Sequence, residues 1–152
     1  MKASKIVREL ALLLMLIAPA AAWSATVVEV WKSPTCGCCE AWIAHLQKAG
    51  FEVRAHDVAD PGAIRARRGV PPALASCHTA MVGGYVIEGH VPAGDIERLL
   101  RERPRIRGLA VPGMPPAAPG MDVTTGSKAP YATLAIDSDG KTHVFAEHAA
   151  GR

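Results

Sequence analysis

The spacing of apolar positions changes several times along the chain, and each change of period marks a separate element. Residues 26–31 (Thr26, Val27, Val28, Glu29, Val30, Trp31) are rich in β-branched side chains and are closed by Lys32-Ser33-Pro34, which predicts a strand. Within residues 38–49, Trp42, Ile43 and Leu46 recur at helical spacing and Gly50 follows as a stop, which predicts a helix. Phe51, Val53 and Ala55 alternate through residues 51–58 and predict a second strand. A short helix then runs from Asp60, as cap, and Pro61, at the first helical position, to about Arg68.

Val70-Pro71-Pro72 cannot continue that helix, because each proline lacks an N–H and fixes its own φ. Two short strands, residues 79–82 and 85–88, flank Gly83-Gly84, a two-residue hairpin signal. Pro92 opens a helix over residues 92–103 with Ile96, Leu99 and Leu100 as its buried stripe. Residues 104–130 break the pattern with six prolines and four glycines, so they read as one long loop. Residues 131–137 and 141–145 then flank Ser138-Asp139-Gly140 and predict a C-terminal hairpin within 131–148. The expected fold is α/β, in the order β–α–β–α–β–β–α, with the loop and hairpin added.

Residues 1–25 stand apart from this domain, which covers 26–152. Lys2, Lys5 and Arg8 precede the apolar run 10–18, and Ala20-Ala21-Ala22 offers a small-residue cleavage site. That is the grammar of a secretory signal peptide, and the run is short for a membrane span. The expected location is the periplasm, where thiols are normally oxidised. The formal charge of +3 falls to +1 without this segment, because three of 17 basic and one of 14 acidic residues leave with it. No block of like charge suggests nucleic acid, and no apolar run beyond residue 25 is long enough to cross a bilayer.

The candidate chemistry lies in the cysteines. Cys36, Cys38 and Cys39 fall within four residues, at the junction of the first strand and first helix. Cys36 and Cys39 have the C-x-x-C spacing of a thioredoxin-like redox unit, where a helix N-terminus favours thiolate. They would be the catalytic pair of a thiol–disulfide oxidoreductase. Cys38 is a sulfur that this chemistry does not require, and Cys77, beside His78, begins the third strand. Three readings stand at this point: a soft-metal site, a redox dithiol, and structural disulfides. Thiolates select Cu(I), zinc or iron–sulfur clusters over hard cations.

The run Lys32-Ser33-Pro34-Thr35-Cys36-Gly37-Cys38-Cys39 resembles the CopG-type copper-resistance proteins, as do Gly69-Val70-Pro71-Pro72, Ser76-Cys77-His78-Thr79 and Glu88-Gly89-His90-Val91-Pro92. The likeness continues through Gly108-Leu109-Ala110-Val111-Pro112-Gly113-Met114-Pro115 and Pro119-Gly120-Met121 to the last hairpin. It implies a thioredoxin-like fold, a periplasmic setting, and copper in a cysteine-bridged multinuclear cluster that interconverts Cu(I) and Cu(II). Cys36, Cys38, Cys39 and Cys77 are the expected metal ligands, with copper rather than zinc or iron–sulfur as the cargo.

His78 and His90 are further candidate ligands; the plainer readings are a loop-positioning hydrogen bond and a solvated turn. Met114 and Met121, each beside a glycine, could cap copper with a thioether or simply pack against apolar surface. His45 reads as a surface group, and Arg65, Arg67 and Arg68 as a solvated helix face. Other periplasmic copper-handling proteins are the expected partners, and passive delivery of copper to a pump or oxidase is the alternative to redox chemistry.

Overall fold

A computed structural model describes residues 26–121 and 128–149. The signal-peptide reading of residues 1–25, and residues 122–127 of the proline-rich segment, lie outside the described residues.

The elements are β1 (Val27–Lys32), α1 (Gly37–Lys48), β2 (Glu52–Asp57), α2 (Pro61–Arg67), a 3-10 turn (Pro72–Leu74), β3 (His78–Val82), β4 (Tyr85–Glu88), α3 (Ala93–Glu102), β5 (Gly108–Ala110), β6 (Tyr131–Ile136) and β7 (Thr142–His148). The expected β–α–β–α–β–β–α order is present, and the C-terminal hairpin follows it. All seven strands join one mixed sheet in the order β2-β1-β3-β4-β5-β6-β7. β1 is parallel to β2 and antiparallel to β3, with Lys32 opposite His78. Gly83 and Gly84 both take positive φ, 55° and 91°, which suits the tight β3–β4 hairpin.

Successive strand side chains point to opposite faces, so the sheet divides its apolar residues between two layers. On one face Val28, Val30, Ala80, Ile87, Leu109 and Ala135 pack with Trp42 and Leu46 of α1 and Ile96 and Leu99 of α3. On the other, Val86, Ala110 and Ile136 pack with Val70 and Leu74. Each fully buried aliphatic side chain contributes about 1.5–3 kcal/mol by leaving water.

The proline/glycine-rich segment is not loop throughout. Gly108–Ala110 form β5, parallel to β4 and antiparallel to β6, which ties the C-terminal hairpin into the main sheet. Only glycine fits at position 108, because a Cβ there would collide with the Val86 carbonyl. The last strand also runs three residues past Phe145, because Tyr131 pairs with His148 across a register shift at Thr133/Leu134. Among the described residues, no helix is long and apolar enough to cross a membrane.

Candidate metal centre

The antiparallel pairing of β1 and β3 brings the loop after Lys32 beside the start of β3. Cys36 is the N-cap of α1, Cys38 and Cys39 lie in its first turn, and Cys77 immediately precedes β3. Their four Sγ atoms all lie within 4.8 Å of one another. Cys36 and Cys39 are joined in a disulfide, with Cα atoms 5.3 Å apart. Cys38 and Cys77 are free thiols. Cys38 Sγ lies 3.5 Å from Cys36 Sγ and 3.6 Å from Cys77 Sγ. The chain therefore holds one disulfide and two thiols in a single sulfur cluster.

Cys77 sits on no helix, so no helix N-terminus favours its thiolate. Burial, followed by the Cys38 thiol beside it, pushes its pKa up to about 12. A metal ion must displace that proton to bind, so ligation at Cys77 releases one.

The peptide before Cys77 is clamped by groups that sequence spacing does not reveal. Glu88, fully buried, accepts the Ser76 N–H at 2.8 Å and Arg65 Nε–H at 2.6 Å on Oε1, and Thr79 Oγ1–H at 2.7 Å on Oε2. Arg65 Nη2–H also donates to the Ser76 carbonyl at 2.6 Å. Arg65 is thus part of a buried pair and not of a solvated face, since α2 turns it inward onto β4. At the end of β1, buried Lys32 bonds Asp57 at 2.7 Å and Glu40 at 2.6 Å. The Asp57 hydrogen bond first, then that of Glu40, holds its pKa above the usual lysine range, so the ammonium persists between the two carboxylates.

A strap crosses from one side of the cluster to the other. Gly113 N–H donates to Ala75 O at 3.0 Å, and Ser76 Oγ–H donates to Gly113 O. At the far end, a Cβ on Gly120 would meet Trp42 N at 2.7 Å and Cys38 O at 2.8 Å, so only glycine lets the strap lie this close to α1. Met114 follows the Gly113 clip with 56% of its surface exposed, and Met121 follows Gly120, half-buried. The structure thus sets one methionine beside each end of the strap.

His78 and His90 are both fully buried, under α1. The His78 ring lies 4.3 Å from Trp42 and 5.1 Å from His90, centre to centre. Burial chiefly, and then His90, lowers the His78 pKa to about 3. The backbone of Gly89 opposes this weakly but meets neither ring nitrogen in hydrogen-bond geometry. His90 is lowered by burial as well. Neither imidazole belongs to the set of four converging cysteines. The reading of His90 as a solvated turn fails, because Trp42 and the strap enclose it: Trp42 Nε1–H bonds Val91 O at 2.8 Å, and His90 Nδ1 bonds Pro119 O at 2.8 Å. His45 is not a free surface group either. Its Nε2 accepts the first N–H of α3, from Ala93, at 3.1 Å.

The donor set suits a soft ion. Two thiols are ready and two more follow from reduction of the disulfide, and four sulfurs discriminate against hard oxygen-seeking cations.

A family described as a protein of unknown function, DUF411, matches residues 74–121. No curated protein matches the chain. Among solved structures, copper resistance protein CopG in its form 1 matches with 42% identity and a TM-score of 0.76, covering 82% of this chain and 98% of its own. Its form 2 matches with the same identity and TM-score, over 81% of this chain and 98% of its own.

Proposed function

Because this chain belongs to the CopG copper-resistance family, we propose that its substrate is copper, taken up as Cu(I) by the thiolates of Cys36, Cys38, Cys39 and Cys77. The convergence of four Sγ atoms within 4.8 Å, from two segments of the chain, carries this reading. A thiolate can bridge two Cu(I) ions, so four of them suit a multinuclear cluster. The first four strands and three helices act as a thioredoxin-like frame that presents the sulfurs at one sheet end. The secretory grammar of residues 1–25 supports work in the periplasm, beside other copper-handling proteins.

The Cys36–Cys39 bond supplies a redox partner for the metal. While it is closed, Cu(I) meets only the Cys38 and Cys77 thiols; breaking it takes up two electrons and yields two thiolates, as two such Cu(I) ions each give one electron and become Cu(II). Run backwards, closing the bond reduces two Cu(II) ions. The N-terminus of α1 favours the thiolate side of this balance.

The same disulfide favours a second reading, a thiol–disulfide oxidoreductase acting through Cys36 and Cys39. One comparison separates them. Thiol-reduced protein is loaded with Cu(I) without oxygen, and copper per chain is measured beside insulin reduction. The copper reading expects tight copper, largely lost in Cys38→Ser/Cys77→Ser. Insulin reduction that survives those changes, with no retained copper in the native chain, establishes the oxidoreductase instead.

A further inference from the structure

Buried polar groups are almost always hydrogen-bonded, and those without partners need an explanation. Among the described residues, five buried side-chain nitrogens lack a partner, and three of them belong to one pair of rings: His78 Nδ1, His78 Nε2 and His90 Nε2. Two phenylalanines would fill this space without that penalty, so the two imidazoles cost stability here.

The hydrogen bonding fixes what His90 offers. A carbonyl oxygen only accepts, so His90 Nδ1 carries the proton that Pro119 O receives at 2.8 Å. Nε2 is then left with its lone pair, buried and unused. A backbone carbonyl that fixes the tautomer and aims the opposite nitrogen is the usual support of a metal-binding histidine. The second ring, His78, is fully buried 5.1 Å away and edge-on at 70°. Ring centres 5.1 Å apart fall within the span that one ion with metal–nitrogen bonds of about 2 Å can bridge.

We propose that His78 and His90 form a second metal site, separate from the four cysteines, that takes one Cu(I) ion between the two imidazoles. The choice of ion follows from the site. Two neutral nitrogens, with Trp42 over one ring, provide neither the four ligands of structural zinc nor the oxygen shell of a hard cation. A monovalent ion content with few ligands fits best, and imidazole suits copper. The site rests on the copper reading only for the identity of its ion. It gives the protein a nitrogen-ligated position beside the sulfur cluster, on the inner face of α1.

The test is X-ray absorption at the copper edge, with copper per chain, on the full chain loaded with Cu(I) alone without oxygen. The native protein is expected to show imidazole scattering together with sulfur. His90→Phe should lose one copper per chain and the imidazole signal while keeping the sulfur shell; His90→Gln repeats the measurement should the larger side chain unfold the core. Replacing all four cysteines by serine should leave one nitrogen-bound copper. A sulfur-only shell in the native chain, with the same copper count in both His90 variants, overturns the second site and leaves the cysteine reading standing. Complete loss of copper from the four-serine chain also overturns it. If the four-serine chain binds as much copper as the native one, the cysteine reading fails and the imidazole site stands.

Discussion

Cys38 Sγ and Cys77 Sγ lie 3.6 Å apart although 39 residues separate them in the chain. They are the two thiols left when Cys36 and Cys39 pair, and they join the start of α1 to the start of β3. A mild thiol oxidant should therefore link Cys38 to Cys77 in the metal-free protein, and peptide mapping should find that cross-link beside the Cys36–Cys39 bond. Copper loaded beforehand should block it. Separate alkylation of both thiols after oxidant treatment would contradict the geometry.

Arg65 and Glu88 form the buried brace behind Cys77. Their bond is 2.6 Å long, and Glu88 has no exposure. Arg65→Met leaves the carboxylate buried without its cation and should cost about 3–5 kcal/mol. Urea unfolding of the metal-free protein measures this. Glu88→Gln keeps the shape and should cost less, while loosening the hold on the Ser76 N–H.

Burial of neutral His78 and His90 makes stability depend on pH. Both folded pKa values lie below the ordinary 6.5, His78 at about 3. Below pH 6.5 the unfolded chain binds protons there that the folded chain refuses. Stability is thus full above pH 6.5 and falls as pH drops towards 3, by at most about 1.4 kcal/mol per pH unit for each ring. His78→Phe should flatten the profile measured by denaturant unfolding. An unchanged slope would show that these rings do not carry it.

How far this was legible in the chain depends on the range of the signal. Strands and helices with their own period, such as Val28 and Val30 or Ile96 and Leu99, could be read directly, as could the Gly83-Gly84 hairpin. β5 could not, because three residues carry no period and its strand state comes from its neighbours β4 and β6. The cysteine cluster was legible because C-x-C-C is dense and Cys77 stands where β3 begins. The Arg65–Glu88 brace, the cap from His45 to Ala93 and the enclosure of His90 were not, since each joins residues from separate elements with no spacing rule.

Gly120 sets the height of the strap over α1. Its φ is +86°, and a methyl group there would press on Trp42 N and Cys38 O. Gly120→Ala should cost about 2 kcal/mol through strain and overpacking. It should also raise protease cleavage within residues 111–121. Native-like cleavage and stability would mean that the strap is not seated as described.

The central claim is that the four sulfurs hold copper. Crystals of the copper-loaded protein, measured across the copper absorption edge, test it most directly. The expected result is anomalous density within bonding distance of Cys36, Cys38, Cys39 and Cys77, with the Cys36–Cys39 bond open. An intact disulfide with no copper signal among the four sulfurs would contradict the account.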